Sequence, residues 1–211
     1  MLEYEYKYWL KGFKKIAGID ESGRGPLAGP VIACAVVFPQ NIDLPHVNDS
    51  KKISPRKRDS LFNEIKSNAL SIGIGIVDEE TIDKINIQKA THRAMQIAVE
   101  NLSLEPDILL VDGYKADIKN YKQESILKGD SKSLSIAAAS IIAKVTRDRI
   151  MNSYDLVFPQ YGFKSNKGYG TKKHIEAIKD YFICPIHRKT FRPASNYIQS
   201  IKYYEQNNFI N

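Results

Sequence analysis

Four acidic residues stand where chains usually carry chemistry: Asp20 and Glu21 after one short apolar stretch, Asp112 after another, and Asp130 ahead of an alanine-rich segment. In open α/β sheets, functional groups gather beyond the strand ends, so these four can converge on one site. No histidine or cysteine accompanies them. An all-oxygen set suits hard cations such as Mg2+ or Mn2+ better than zinc. Clustered carboxylates alone repel one another, and some members stay protonated. Two divalent ions about 3.5–4 Å apart remove that conflict and stabilise both the attacking and the leaving oxygen in phosphodiester hydrolysis. Phosphoryl chemistry is therefore favoured over acid–base work by a carboxylate pair. Each acid taken singly also suits a turn or a cap; it is their shared placement that points to a site.

The pair Asp20-Glu21 poses a geometric problem. Neighbours on a regular strand point to opposite faces, so both side chains should not reach one metal. The strand must end or bulge there, or Glu21 must contribute through its backbone carbonyl. Gly23-Arg24-Gly25 follows. A dinucleotide fingerprint fails on context, because the two acids would repel a pyrophosphate and no helix follows to receive it. No Gly-Lys-Ser/Thr follows either, which excludes a phosphate-cradling Walker loop.

The elements that must position these residues follow from the apolar pattern. Lys15 to Ile19 reads as a strand ending in a polar loop, and Val31 to Phe38 as a central strand covered on both faces. Leu61, Phe62, Ile65 and Ala69 recur at helical spacing. Ser71 to Val77 alternates isoleucine with glycine, a strand packed closely against another element. Asn86 caps a helix with a stripe at Ala90, Ala94 and Ala98, and Asp107 to Val111 makes the next strand. Leu134 to Val145 is apolar nearly all round, a buried helix emerging at Lys144, Arg147, Asp148 and Arg149. A short helix is expected near Lys172 to Tyr181. The sum is an α/β sheet flanked by helices on both faces.

Composition bounds the rest. The 211 residues fit one domain, and 43% hydrophobic content supports a real core. A net charge of +7 suits a polyanionic partner but is permissive only. Met1 to Lys15 lacks the apolar core of a signal peptide, and no apolar run is long enough to span a bilayer. Only Cys34 and Cys184 occur, so neither a disulfide framework nor a cysteine zinc site is expected. We therefore expect a cytoplasmic protein.

Several segments together resemble type 2 ribonuclease H, the ribonuclease HII family. They are Ala17-Gly-Ile-Asp-Glu-Ser-Gly-Arg-Gly-Pro26, Asp49-Ser-Lys-Lys52, Ile82-Asp-Lys-Ile-Asn-Ile87, Val111-Asp-Gly113, Lys128-Gly-Asp-Ser131, Ala138 to Asp148, Phe158-Pro-Gln-Tyr-Gly162 and Lys167-Gly-Tyr-Gly-Thr171. All fall in the family's order and span roughly Ile16 to Arg192. The resemblance implies a ribonuclease H-like fold with a mixed five-stranded sheet. It implies a single domain over 1–211, with 171–211 a C-terminal helical extension.

The resemblance also implies a catalytic and metal-binding set of Asp20, Glu21, Asp112 and Asp130, with Asp148 an ion-pairing residue and Mn2+ or Mg2+ the cofactor. Gly23, Arg24 and Gly25 should read the 2′-OH beside the scissile phosphate. Glycine lets backbone groups approach a sugar, and the 2′-OH distinguishes RNA from DNA. Tyr169 matches the family tyrosine that stacks on the next deoxyribose, and Lys51 matches a phosphate contact. Lys144, Arg147, Lys172 and Lys173 are further candidates for backbone phosphates. The histidines His46, His92, His174 and His187 receive no catalytic role.

The implied activity is endonucleolytic cleavage of the RNA strand of RNA/DNA hybrids, with incision 5′ to single ribonucleotides embedded in duplex DNA. That is the chemistry of ribonucleotide removal in DNA replication and repair. A monomer is expected. Two alternatives remain at this stage: a non-catalytic hybrid-binding protein, and a DNA nuclease or transposase on the same fold.

Overall fold

Five short apolar segments form one mixed sheet: β1 (Ile16–Ser22), β2 (Val31–Val37), β3 (Ser71–Val77), β4 (Ile108–Asp112) and β5 (Gln123–Ile126). Their order is β3-β2-β1-β4-β5. β2 runs antiparallel to β1 and β3, whereas β1, β4 and β5 are parallel. The helices are α1 (Glu3–Trp9), α2 (Pro55–Asn68), α3 (Glu79–Ile85), α4 (Ile87–Glu100), α5 (Leu134–Val157), α6 (Phe163–Asn166) and α7 (Lys172–Tyr181). The computed structural model describes residues 1–47, 54–113 and 115–197. Lys51 and the whole of the Asp49-Ser-Lys-Lys52 motif lie outside the described residues. Among the described residues, no helix is long and apolar enough to cross a membrane.

Strand alternation divides the core into two layers. Ala17, Ile19, Ala33, Ala35, Leu109 and Val111 face α4, meeting its Ala90, Ala94 and Ala98. On the opposite face, Ile32, Cys34 and Val36 meet the Ala137-Ala-Ala139 stretch of α5, with Leu61 and Ile65 of α2. Small residues let both helices lie close. A Cβ added at Gly75 would stand 1.9 Å from the Ala94 carbonyl oxygen, and one at Gly18 would stand 2.2 Å from the Ser135 carbonyl carbon. Helix starts follow their caps: Asn86 Oδ1 accepts from the Lys89 N–H at 3.1 Å, and Ser133 Oγ accepts from the Ile136 N–H at 3.3 Å.

Three departures from sequence expectation bear on the site and its surroundings. β1 does not end at Ile19 but runs to Ser22, in unbroken register with β2 from Ala17↔Val37 to Ser22↔Ile32. Polar side chains ended the apolar run without ending the hydrogen-bond ladder. The buried helix does not stop at Val145, because its inward stripe continues through Arg147 and Met151, and it ends at Val157. Helix α1 had no sequence expectation. It is too short for periodicity to show, and its Tyr4, Tyr8 and Trp9 pack on Ile16, Ile108, Leu110, Ile126 and Ile136 beneath β4 and β5.

Candidate active site

Parallel pairing of β1 with β4 places two of the four acids side by side. Ile19 is opposite Val111, so Asp20 and Asp112 are the next residues on adjacent strands. Both take the strand parity that faces α5. A single turn of 3-10 helix, Gly129–Ser131, brings Asp130 to the same face just before α5 begins. The Gly129 N–H donates to Asp112 Oδ1 at 2.6 Å, tying that turn to the strand end. Asp20 and Asp130 are buried, at 5% and 6% exposure.

Glu21 is placed differently. Because β1 has no bulge, its side chain points to the α4 face, in a cleft lined by Arg24, Thr91, His92, Met95, Asp112 and Gly113. There Arg24 Nη1 stands 3.3 Å from Glu21 Oε1. The strand break that would turn both side chains one way does not occur. Its backbone carbonyl is the remaining way for Glu21 to address the α5 face.

Electrostatics mark Asp20 as the tightest point. Burial holds its carboxyl well above the usual carboxylate range, and the charges of Glu21 and Asp112 push in the same direction. Hydrogen bonds from the Ser140 hydroxyl and the Glu21 N–H oppose this; the latter is 2.7 Å long. Among the described residues, no three His, Cys, Asp or Glu side chains are drawn together closely enough to hold a metal ion as they stand. The donor set still fits a hard divalent ion. It is all carboxylate oxygen, and a cation between Asp20 and Asp112 would relieve the repulsion that raises the proton affinity of Asp20.

The glycine loop is held from behind by two buried arginines. Arg188 donates to the carbonyls of Gly23 (2.5 Å), Arg24 (3.0 Å) and Gly29 (2.7 Å). Arg147 donates to the carbonyls of Pro30 (3.0 Å), Ala28 (2.9 Å) and Lys167 (2.8 Å). Both are fully buried, at 0% exposure. Arg147 is therefore not a phosphate contact: it looks surface-bound in sequence because it follows polar Thr146, but its helical phase carries it inward. Burial and the nearby Arg147 charge pull the Arg188 guanidinium down to about 9. The Tyr169 ring is 47% exposed, and its Cε1 would lie 3.7 Å from a Cβ added at Gly25. Loop and ring thus border one small cleft with Glu21, Arg58, Ser140 and Lys144. Asp148 is an ion-pair residue, 2.6 Å from Lys144 Nζ and 3.7 Å from Arg58 Nη1. Lys172 and Lys173 are exposed, at the start of α7.

Sequence reasoning missed the buried histidines behind Tyr169. The Cys184 N–H donates to His187 Nδ1 at 2.9 Å, which leaves the proton on Nε2. That Nε2–H donates to His174 Nε2 at 3.0 Å, and His174 Nδ1–H donates to the Tyr169 carbonyl at 2.9 Å. Both rings must be neutral for this chain of donors to run one way. Burial, with His174 adding to it, accordingly pulls His187 down to about 4. Nothing at sequence level joins His174 to His187; only folding does.

The family model described as Ribonuclease HII matches residues 17–194. The chain is 58% identical over 191 residues to ribonuclease HII of Acetivibrio thermocellus, covering 90% of this chain and 75% of that protein. It is 52% identical over 198 residues to ribonuclease HII of Enterococcus faecalis, covering 94% and 77%. The crystal structure of ribonuclease H2 from Pyrococcus horikoshii superimposes with a TM-score of 0.79 at 26% identity, covering 89% of this chain and 99% of that one.

Two outcomes test the site's electrostatics. Asp20→Asn removes the carboxylate most opposed by its surroundings, so the metal-free variant should melt above wild type and lose the rise in Tm that Mg2+ gives wild type. A variant that melts lower, or still gains from Mg2+, contradicts this. His187 is neutral in the fold and has an ordinary value near 6.5 when unfolded, so the unfolded chain binds the extra proton and stability falls with pH below that value. From about pH 7.5 to about pH 5.5, urea unfolding should show a loss of roughly 1.4 kcal/mol that is absent in His187→Asn. Equal slopes in the two proteins would mean the pair is not held neutral.

Proposed function

The chain belongs to the ribonuclease HII family and is a metal-dependent endoribonuclease acting on RNA/DNA hybrids; we propose that it incises on the 5′ side of a ribonucleotide, including one embedded in duplex DNA, and leaves a 3′-hydroxyl. The observation that carries this reading is the adjacency of two unlike features. Asp20, buried near the end of β1, and Asp112, half-buried at the end of β4, lie on adjacent strands, and a pinned glycine loop with an exposed tyrosine stands beside them.

In this reading Asp20, Asp112 and Asp130 would hold two divalent ions, with Glu21 contributing through its backbone carbonyl. Mg2+ or Mn2+ bound there would supply positive charge to the phosphodiester and lower the cost of deprotonating water. The chain does the selecting. The carbonyls of Gly23 and Arg24 are already taken by Arg188, so the loop meets the sugar with its other backbone groups. Gly23 is obliged to be glycine: its φ is +100°, and a Cβ would lie 2.3 Å from Arg147 Nε. A loop this firmly held tests for the 2′-OH without rearranging. Tyr169 offers its exposed face to the deoxyribose that follows, its backbone carbonyl fixed by His174. Lys144, Lys172 and Lys173 are the proposed contacts to backbone phosphates, and Lys51 keeps that role from its motif. A monomer working in the cytoplasm completes the proposal.

A duplex carrying one ribonucleotide, incubated with and without Mg2+ or Mn2+, tests the reading on a sequencing gel. Metal-dependent incision 5′ to the ribonucleotide, with an all-DNA duplex left intact, is the expected result. Cutting of both duplexes would favour a DNA nuclease instead. Asp112→Asn should bind the duplex while cleavage falls by a factor on the order of a thousand; full turnover would remove the proposed site. Tyr169→Ala should lose about tenfold in kcat/KM at an RNA–DNA junction and less within a continuous hybrid. An unaltered ratio between those substrates would take the tyrosine out of the mechanism.

A further inference from the structure

Helix α1 lies before the residues matched by the family model, yet it sends one carboxylate into the interior. Glu5 is 3% exposed. Its Oε1 accepts three hydrogen bonds at the start of α5: from Ser133 Oγ at 2.6 Å, Ser135 Oγ at 2.7 Å and the Ser135 N–H at 2.9 Å. The α5 N-terminus and these donors favour a negative charge there. Its other oxygen has no hydrogen-bond partner among the described residues. Burying such a group is costly, so stability alone is a poor account of it.

The contacts continue from Glu5 to the acids. The Ser133 N–H donates to the Gly129 carbonyl at 2.8 Å, and the Gly129 N–H donates to Asp112 Oδ1 at 2.6 Å. Asp130 is the residue after Gly129. The turn has little slack, since a Cβ at Gly129 would lie 2.6 Å from Ile136 Cδ1 and 3.3 Å from Asp112 Oδ1. The far end of α1 is fastened as well: Lys7 Nζ and Tyr8 Oη donate to Glu124 at 2.7 and 2.5 Å. Glu124 lies on β5, the strand that pairs with β4.

We propose that Glu5 is a positioning residue for Asp112 and Asp130, so that α1 is a working part of the site and not merely packing on its back. This rests on the reading that those two carboxylates hold divalent ions. Glu5 acts by fixing the first turn of α5. That turn fixes Gly129, and Gly129 sets both the orientation of Asp112 and the place from which Asp130 projects.

Mn2+ binding to the full-length protein, measured by calorimetry without substrate, tests this alongside the Mn2+ concentration giving half-maximal cleavage. Glu5→Ala should weaken Mn2+ binding about tenfold and raise the half-activating concentration to match, with kcat at saturating Mn2+ little changed. Glu5→Gln keeps an oxygen acceptor and should lose only about threefold. Ile65→Ala, in the core between α2 and α5, serves as a destabilised control that should lower Tm without altering Mn2+ affinity. If Glu5→Ala lowers Tm but binds Mn2+ as wild type does, the proposal is wrong. Should Glu5→Ala not fold, wild-type affinity in Glu5→Gln overturns it equally. Unchanged Mn2+ binding in Asp112→Asn would instead sink the underlying site and the Glu5 proposal with it, so the two failures are told apart.

Discussion

Like charges brought together out of water are the constraint on which this structure turns. Parallel pairing of β1 with β4 sets Asp20 beside Asp112, and α5 covers that face of the sheet. Burial and two neighbouring negative charges oppose ionisation of Asp20. A fold that tolerates such an arrangement must compensate elsewhere or bind a cation there. The two apolar layers on either side of the sheet supply the compensation, and divalent-metal dependence is the natural consequence of the strain.

Rigidity around the acids follows from the same logic. The recognition proposed for the glycine loop needs backbone held to within a fraction of an ångström. Here that is done from inside. Arg147 and Arg188 spend their donors on carbonyls of the glycine loop and of the Lys167 segment, and the neutral pair His174–His187 holds the Tyr169 carbonyl. Helix α7 and the segment after it thereby act as a brace for the loop between β1 and β2. Buried guanidinium groups are tolerated because nearly every donor has a fixed carbonyl partner, which an apolar replacement would leave unpaired.

The carboxylate side has its own brace. Glu5 and the serines at the start of α5 stand to Asp112 and Asp130 as the buried arginines stand to the glycine loop. In each case a charged group far away in the chain holds the backbone on which a candidate functional group sits.

Much of this was legible in the residues. The isoleucine–glycine alternation of 71–77, the alanine stripe of 90–98 and its Asn86 cap, and the doubly buried 31–37 segment each name their element, because periodicity and capping are local. The four acids and the glycine loop could be singled out from type and place, and the run of motifs named the family. Tertiary structure decided the rest. That Glu21 faces away from Asp20 depends on β1 staying in register beyond its apolar run, which pairing with β2 enforces and composition does not reveal. That Arg147 is a buried brace depends on the length and phase of α5. The links from Glu5 to Ser133 and from His174 to His187 join residues by contacts that leave no periodic trace, so only the folded chain shows them.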